Sequence, residues 1–367
     1  MNPLKNLLFG ACYALCVGFA ACSNAPQRHE KLQGNYYTPQ YAQGFCIDTA
    51  NGTKTLTVVN PFQQANAQKY VYVLDSAPMQ RVVCMSTTQL GFLDFIDKID
   101  AVVGVSGAKY IFNPALQTAY EQGKIADVGY GTNINIETIV QLKPNAVLAY
   151  GVYNEFESTA KKLQELGIRV IYIGEYIEPH PLGKAEWAVA IAALFDCKDA
   201  AQQRFQSVAN QYAALSALLT DSIPRVNVLL NAPWNDTWFM PCTGSNMGQY
   251  LHDAGGESVV PLRAGREAYP ESIESVYALS QNAHCWLNAG NAADLAALQQ
   301  MHKLIERLPV FAAGQVFNSN RRSTPQGGSD FFESGTVHPH LILKDLIHIL
   351  HPAILPQHEL YYYQQLE

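Results

Sequence analysis

The chain has 367 residues, a formal net charge of −7, 48% hydrophobic and 15% charged residues. So apolar a composition supports a sizeable core and excludes intrinsic disorder. An acidic balance, with no basic run longer than the pair Arg321-Arg322, excludes a nucleic-acid surface.

The N-terminus reads as an export signal. Lys5 is the only charge before residue 28, and residues 6–21 are mostly apolar and end in small side chains. That run is too short to span a bilayer, so it predicts a cleaved signal over residues 1–21. Phe19-Ala-Ala-Cys22 is similar to a lipobox, which makes Cys22 the expected lipidated residue. Residues 22–45 read as a polar tether. Five cysteines follow Cys22: Cys46, Cys84, Cys197, Cys242 and Cys285. None forms C-x-x-C and the number is odd, so neither a zinc knot nor full disulfide pairing is expected.

Thr55 to Val59 and Tyr70 to Leu74 predict a strand pair within residues 46–80. From Arg81 short apolar strands alternate with helical stretches. Strands are expected at 81–85, 102–105, 146–149 and 168–173, and helices at 89–99, 136–142 and 155–166. That alternation implies parallel sheet with right-handed crossovers. Residues 181–222 differ. One helix is expected over 185–195 and a second over 199–220, where Phe205, Val208, Tyr212, Leu215 and Leu219 form one stripe. The second helix, roughly 33 Å long, suffices to bridge two domains. Alternation resumes with strands at 226–230, 285–287 and 315–318 and helices at 248–254, 292–304 and 341–350. The fold class is therefore α/β: two lobes, 81–180 and 223–355, each with a central parallel sheet flanked by helices, joined by a long rigid inter-lobe helix. Neither Gly-x-Gly-x-x-Gly nor a Walker loop occurs.

Several segments, in order, resemble the class III periplasmic binding proteins, the solute-binding components for ferric siderophores, haem and cobalamin. Ser86-Thr-Thr-Gln-Leu-Gly-Phe-Leu-Asp-Phe-Ile-Asp is similar to the family's opening strand and helix. Val128-Gly-Tyr-Gly followed by Asn135-Ile-Glu-Thr-Ile-Val-Gln-Leu-Lys-Pro144 is similar to its most recognisable stretch. Pro181-Leu-Gly-Lys-Ala-Glu-Trp187 and Gly327-Gly-Ser-Asp-Phe-Phe-Glu-Ser-Gly335 resemble a Bacteroidota subgroup. The resemblance covers residues 80–355. It implies a monomeric, lipid-anchored periplasmic protein that delivers a small metal chelate or corrinoid to an ABC permease and its ATPase, with no cofactor and no catalysis.

It also implies residue roles. Glu137, in Asn-x-Glu-x-Ile-x-x-Leu-Lys-Pro, and Glu274, in Ser-x-Glu-x-x-x-x-Leu, correspond to the acidic residues that dock on the permease. The same positions are favourable for Glu in a first helical turn. Ligand contacts are expected on loops after the strands' carboxyl ends. In the first lobe these are Tyr110, Tyr130, Tyr150, Tyr153 and Tyr176. In the second they are Trp234, Trp238, Asn288, Arg321 and Arg322. Aromatic walls suit a catecholate, porphyrin or corrin ring, and the arginines suit an anionic chelate. Iron chelate is the first expectation and cobalamin the second. Asp330-Phe-Phe-Glu333 is expected to lock its loop. A rival reading, a secreted metal-dependent hydrolase built on His338, His340, His348, His351 and His358, lacks H-E-x-x-H spacing.

Overall fold

A computed structural model describes residues 37–61, 68–74, 77–151 and 154–367, so Cys22 and Tyr153 lie outside the described residues. The first sheet is antiparallel with order β1-β2-β3: β1 (Phe45–Ala50), β2 (Thr53–Val59) and β3 (Lys69–Leu74). Two of these strands are expected from sequence; β1 is additional. It turns into β2 at Asn51-Gly52, whose φ values of 52° and 78° supply the two left-handed residues of a type I′ hairpin. Phe45, Ile47, Leu56 and Val58 point into the body, while Val71 and Val73 are exposed.

Residues 37–44, read from sequence as tether, are fixed to the body by two buried carboxylates. Glu186 accepts hydrogen bonds from the Tyr37 hydroxyl and from the amides of Gln40, Tyr41 and Ala42, each at 2.7 Å. Glu178 accepts from the amides of Gln43 and Gly44 and from the Trp187 indole. Donors this numerous replace the water that each carboxylate loses on burial.

The first lobe runs through β4 (Val82–Cys84), α1 (Thr88–Phe95), β5 (Val102–Val105), α2 (Pro114–Glu121), β6 (Ala126–Asp127) and a short ribbon of β7 (Gly129–Tyr130) and β8 (Asn133–Ile134). It continues through α3 (Ile136–Leu142), β9 (Ala146–Ala149), α4 (Asn154–Glu165) and β10 (Val170–Tyr172). The central sheet has order β10-β9-β4-β5-β6 with every pair parallel. β4, β5, β9 and β10 are buried throughout, as helix-covered parallel strands must be. α3 stops at Lys143, which takes a left-handed φ of 47° just before Pro144.

Two helices lead out of this lobe. α5 (Pro181–Leu194) is almost wholly buried and, apart from Lys184 and Glu186, apolar on all sides. α6 (Lys198–Ser216) buries one stripe, Ala201, Phe205, Val208, Ala209 and Tyr212. It is shorter than the expected 199–220, because the chain turns after Ser216; its 19 residues span roughly 29 Å. α6 touches both lobes. Arg204 donates to the Phe95 carbonyl at 2.6 Å and pairs with Asp97, and the Tyr212 hydroxyl donates to Asp253 at 2.7 Å.

The second lobe contains β11 (Val226–Leu230), β12 (Pro233–Trp234), β13 (Thr237–Met240), α7 (Asn246–Asp253), β14 (Gly256–Ser258), β15 (Tyr269–Ser272) and α8 (Ile273–Leu279). β16 (Cys285–Leu287), α9 (Leu295–Gln299), α10 (Pro309–Ala312), β17 (Val316–Asn318), α11 (Pro339–Leu350) and β18 (Gln364–Gln365) complete it. Its sheet, β14-β11-β16-β17-β18, is parallel except for β18. A small antiparallel sheet, β12-β13-β15, sits alongside. The helix expected over 292–304 shrinks to α9. Asp294 caps it by accepting from the Ala297 amide, and the upstream Ala292 carbonyl is taken by Asn318 and Asn320. The chain end, beyond the expected boundary at 355, belongs to the lobe. Fully buried Asp345 accepts from the amides of Tyr361, Tyr362 and Tyr363 and from His358, which sets β18 against β17. All five described cysteines are free.

Candidate ligand cavity between the lobes

In the first lobe the chain starts at β4, moves to β5 and β6, then crosses back to β9 and β10 on the other side. Neighbouring loops diverge where the strand order reverses, and they leave a crevice at the strands' carboxyl ends. A cavity of about 270 Å³ lies there. Met85, Ser86 and Thr87 follow β4, Ser106 follows β5 and Tyr150 follows β9; Tyr110 and Tyr130 form a further wall. Ser106 is 4% exposed. Gly107 explains how two rings crowd here. Its φ is 70°, and a Cβ would sit 2.8 Å from the Tyr130 ring and 3.0 Å from the Tyr110 ring. The ring centroids lie 5.4 Å apart, within the range of favourable aromatic pairing.

The second lobe contributes one loop, through Gly327, Ser329 and Phe332. That loop is strapped onto the first lobe. Glu333 accepts from the amides of Phe112 and Asn113, both at 2.8 Å. A Cβ on Gly91 of α1 would lie 2.1 Å from the Glu333 carbonyl oxygen, and one on Gly328 would lie 2.7 Å from that of Tyr110. Burial pushes the Glu333 carboxyl up to about 7, against the lowering effect of those two amides. Asp330 binds Arg322 at 2.5 Å, and the guanidinium lies over Phe112 and Tyr361, 5.1 and 4.5 Å from their centroids. The same loop therefore both locks itself and reaches the cavity.

Of the residues expected from sequence, Tyr110, Tyr130 and Tyr150 meet at this cavity. The others are placed elsewhere. Tyr176 is half-buried and donates its hydroxyl to the Pro61 carbonyl. Trp238 is core: 2% exposed, its indole donates to the Leu230 carbonyl and its ring packs on Trp286. Trp234 is 71% exposed on the β12–β13 hairpin. Asn288, at φ 59°, accepts from the Tyr363 hydroxyl and belongs to the second lobe's frame. Arg321 is exposed, and Arg322 is held by Asp330. Ser86, Thr87, Ser106, Ser329 and Phe332 are absent from the sequence-based set. Ser86-Thr87 directly follow the lobe's first strand, and applying the strand-reversal rule to β4 finds them. Phe332 lies in a loop whose position depends on contacts with the other lobe, which local pattern does not encode.

Two further features match between the lobes. α3 and α8 have seven residues each, and both carry an exposed Glu as second helical residue, Glu137 and Glu274. Asn135 caps α3 through the Thr138 amide at 3.0 Å, and Ser272 caps α8 through the Ser275 amide at 3.1 Å. The C-terminal histidines serve packing: His338 stacks edge-on with Phe95, and His348 binds the Leu355 carbonyl. Among the described residues, no group of three or more His, Cys, Asp or Glu is arranged to hold a metal.

This architecture, two parallel-sheet lobes with a crevice at the strand ends, is that of a solute-binding protein. The sequence profile of the periplasmic binding protein family matches residues 82–318, and the chain belongs to that family. It is 25% identical over 287 residues to an uncharacterized lipoprotein of Methanocaldococcus jannaschii, which covers 76% of this chain and 66% of that protein. It is 28% identical over 190 residues to the vitamin B12-binding protein of Salmonella choleraesuis, covering 52% of this chain and 68% of that protein. A periplasmic binding protein from Veillonella parvula shares the fold, with a TM-score of 0.61 and 17% identity over 82% of this chain and 98% of that one.

Proposed function

We propose that this chain is the substrate-binding lipoprotein of an ABC importer, anchored in the periplasm through Cys22. It captures an iron chelate, siderophore or haem, in the inter-lobe cavity and hands it to the permease. One observation carries this reading: Tyr110, Tyr130, Tyr150 and Phe332 line a cavity at the strand-reversal point together with Ser86, Thr87, Ser106 and Ser329. Such walls pack flat against a chelate's organic periphery while the hydroxyls meet its oxygens. The likeness to a vitamin B12-binding protein favours a second cargo, a corrinoid. In this role either cargo is bound and released unchanged, by a monomer with no catalysis and no cofactor of its own. The matched glutamates Glu137 and Glu274 dock the two lobes on permease cations, setting register and association rate.

Purified protein exposed to cobalamin, haem and a ferric siderophore, then freed of excess ligand, is expected to retain one chromophore. Colourless protein after all three removes the cargo reading. The Glu137→Ala/Glu274→Ala double variant is expected to bind its cargo normally and fail in uptake. Undiminished uptake by that variant refutes the docking roles.

A further inference from the structure

The lobes are tied to each other on both flanks of their sheets, and the two ties are unequal. One is the loop Gly327–Glu333, which follows β17 and reaches Phe112 and Asn113, after β5. The other is made by residues 37–44, which lie outside the family match at 82–318. Glu178, after β10, holds the amides of Gln43 and Gly44. From the second lobe Arg266, after β14, donates to the Gln43 side-chain oxygen at 3.0 Å, and Asn246 donates to the Glu178 carbonyl at 3.1 Å. In each sheet the two attachment points are three strand spacings apart, β10 to β5 and β14 to β17, or roughly 14 Å. Glu333 is 2% exposed, and its loop leaves no room for a Cβ on Gly91 or Gly328. The bond from Arg266 to Gln43 is exposed, and Gln43, Gly44, Glu178 and Arg266 border a second cavity of about 270 Å³. Close-packed interiors leave few voids of that size, so on this flank long polar side chains bridge a gap. Water competes for an exposed hydrogen bond, which therefore parts more readily than a buried carboxylate with two amide donors.

We propose that the flank between β10 and β14, clasped by residues 37–44, is a latch, and that the flank between β5 and β17 is the pivot about which the lobes open. Opening then begins where Gln43 meets Arg266, whatever the cargo. The test places spin labels across each flank of the full chain. Cys46→Ser and Cys197→Ser remove the half-buried thiols, while Cys84, Cys242 and Cys285 are buried. Lys69→Cys with Ala264→Cys spans the latch, and Ala115→Cys with Gln326→Cys spans the pivot; all four native residues are exposed. Distances from pulsed electron resonance are expected to spread more widely across the latch than across the pivot. Arg266→Ala is expected to widen the first spread and leave the second unchanged. Gln43→Glu, which turns the tie into an ion pair, is expected to narrow the first spread at low salt and to lose that effect at about 0.5 M salt. Equal spreads, or a wider one across the pivot, overturn the proposal. Hydrogen exchange on unlabelled chain with all native cysteines gives a second reading. There Arg266→Ala is expected to speed exchange in residues 40–44, across the gap, by about two- to ten-fold and to leave residues 327–333 unaffected. A variant that speeds both segments alike, or neither, also overturns the proposal. Neither measurement uses cargo, so failure here leaves the binding-protein reading standing.

Discussion

Gly107 shows how much of the cavity rests on one missing methyl group. A side chain there meets a left-handed backbone, φ 70°, and two tyrosine rings at once. Gly107→Ala is therefore expected to lose about 1–2 kcal/mol from the backbone conformation alone. It also displaces the Tyr130 ring, so cargo affinity falls along with the melting temperature. A variant that melts lower but binds unchanged places Tyr130 outside the cargo contact. Two buried carboxyls give the fold a pH dependence. Burial pushes Glu175 and Glu333 from 4.5 up to about 7. Between those values the native state holds protons that the unfolded chain has released. Their contribution is complete below about pH 4.5 and is lost as pH rises through 7. In melting-temperature profiles these two groups are therefore expected to add more stability near pH 5 than near pH 8, whereas His180, His338 and His340, which burial holds below the usual imidazole range, act in the opposite sense. Glu175 has one buried oxygen without a hydrogen-bond partner, so Glu175→Gln should flatten that slope by up to roughly 3 kcal/mol. An unchanged slope in the variant contradicts the assignment.

At the level of elements, the parallel strands are the most legible part of the chain. β5, β9, β11 and β16 are short apolar runs between breakers, and the expected bounds agree with those observed. Local rules suffice there because these strands are largely buried on both faces and α2, α3, α7 and α8 start on side-chain caps of their own. The elements missed depend on partners far along the chain. β1 is half polar, and its hairpin signal, Asn51-Gly52, is easily passed over without the strand that precedes it. β18 is two residues long and exists because Asp345, on α11, collects three amides from the chain end. Asp345→Ala leaves those donors buried and unanswered. It is expected to cost roughly 3–5 kcal/mol and to open the last residues to carboxypeptidase. A tail that stays protected in the variant shows that Tyr362 and Tyr363 hold it by packing alone.

For the whole molecule, two of the connections between the lobes differ in kind: α6, and the loop from Gly327 to Glu333 that crosses to the first lobe. The first is legible from its apolar stripe. The second is not, because the partners of Glu333 are amides more than 200 positions away. That distinction explains why the strand-end rule points to Tyr110, Tyr130 and Tyr150, which line the cavity, and to Trp234, Trp238, Asn288, Arg321 and Arg322, which do not, while Phe332 does. With both connections in place, cargo entry should not need wide separation of the lobes. Small-angle scattering of free and loaded protein is expected to superimpose. Glu333→Ala, which frees the loop carrying Phe332, is expected to accelerate cargo release while leaving the lobes folded. Unchanged release kinetics in that variant make the strap irrelevant to retention.

The two carboxylates that seize residues 37–44 have a consequence for where this protein is able to go. Under the proposed lipidation, only the stretch from Cys22 to Tyr37 separates the anchor from the rigid body. Whatever its conformation, a stretch of that length reaches at most about 50 Å. The cargo carrier is then confined to a thin shell above the bilayer, where it meets its permease by sliding over the surface rather than by searching a volume.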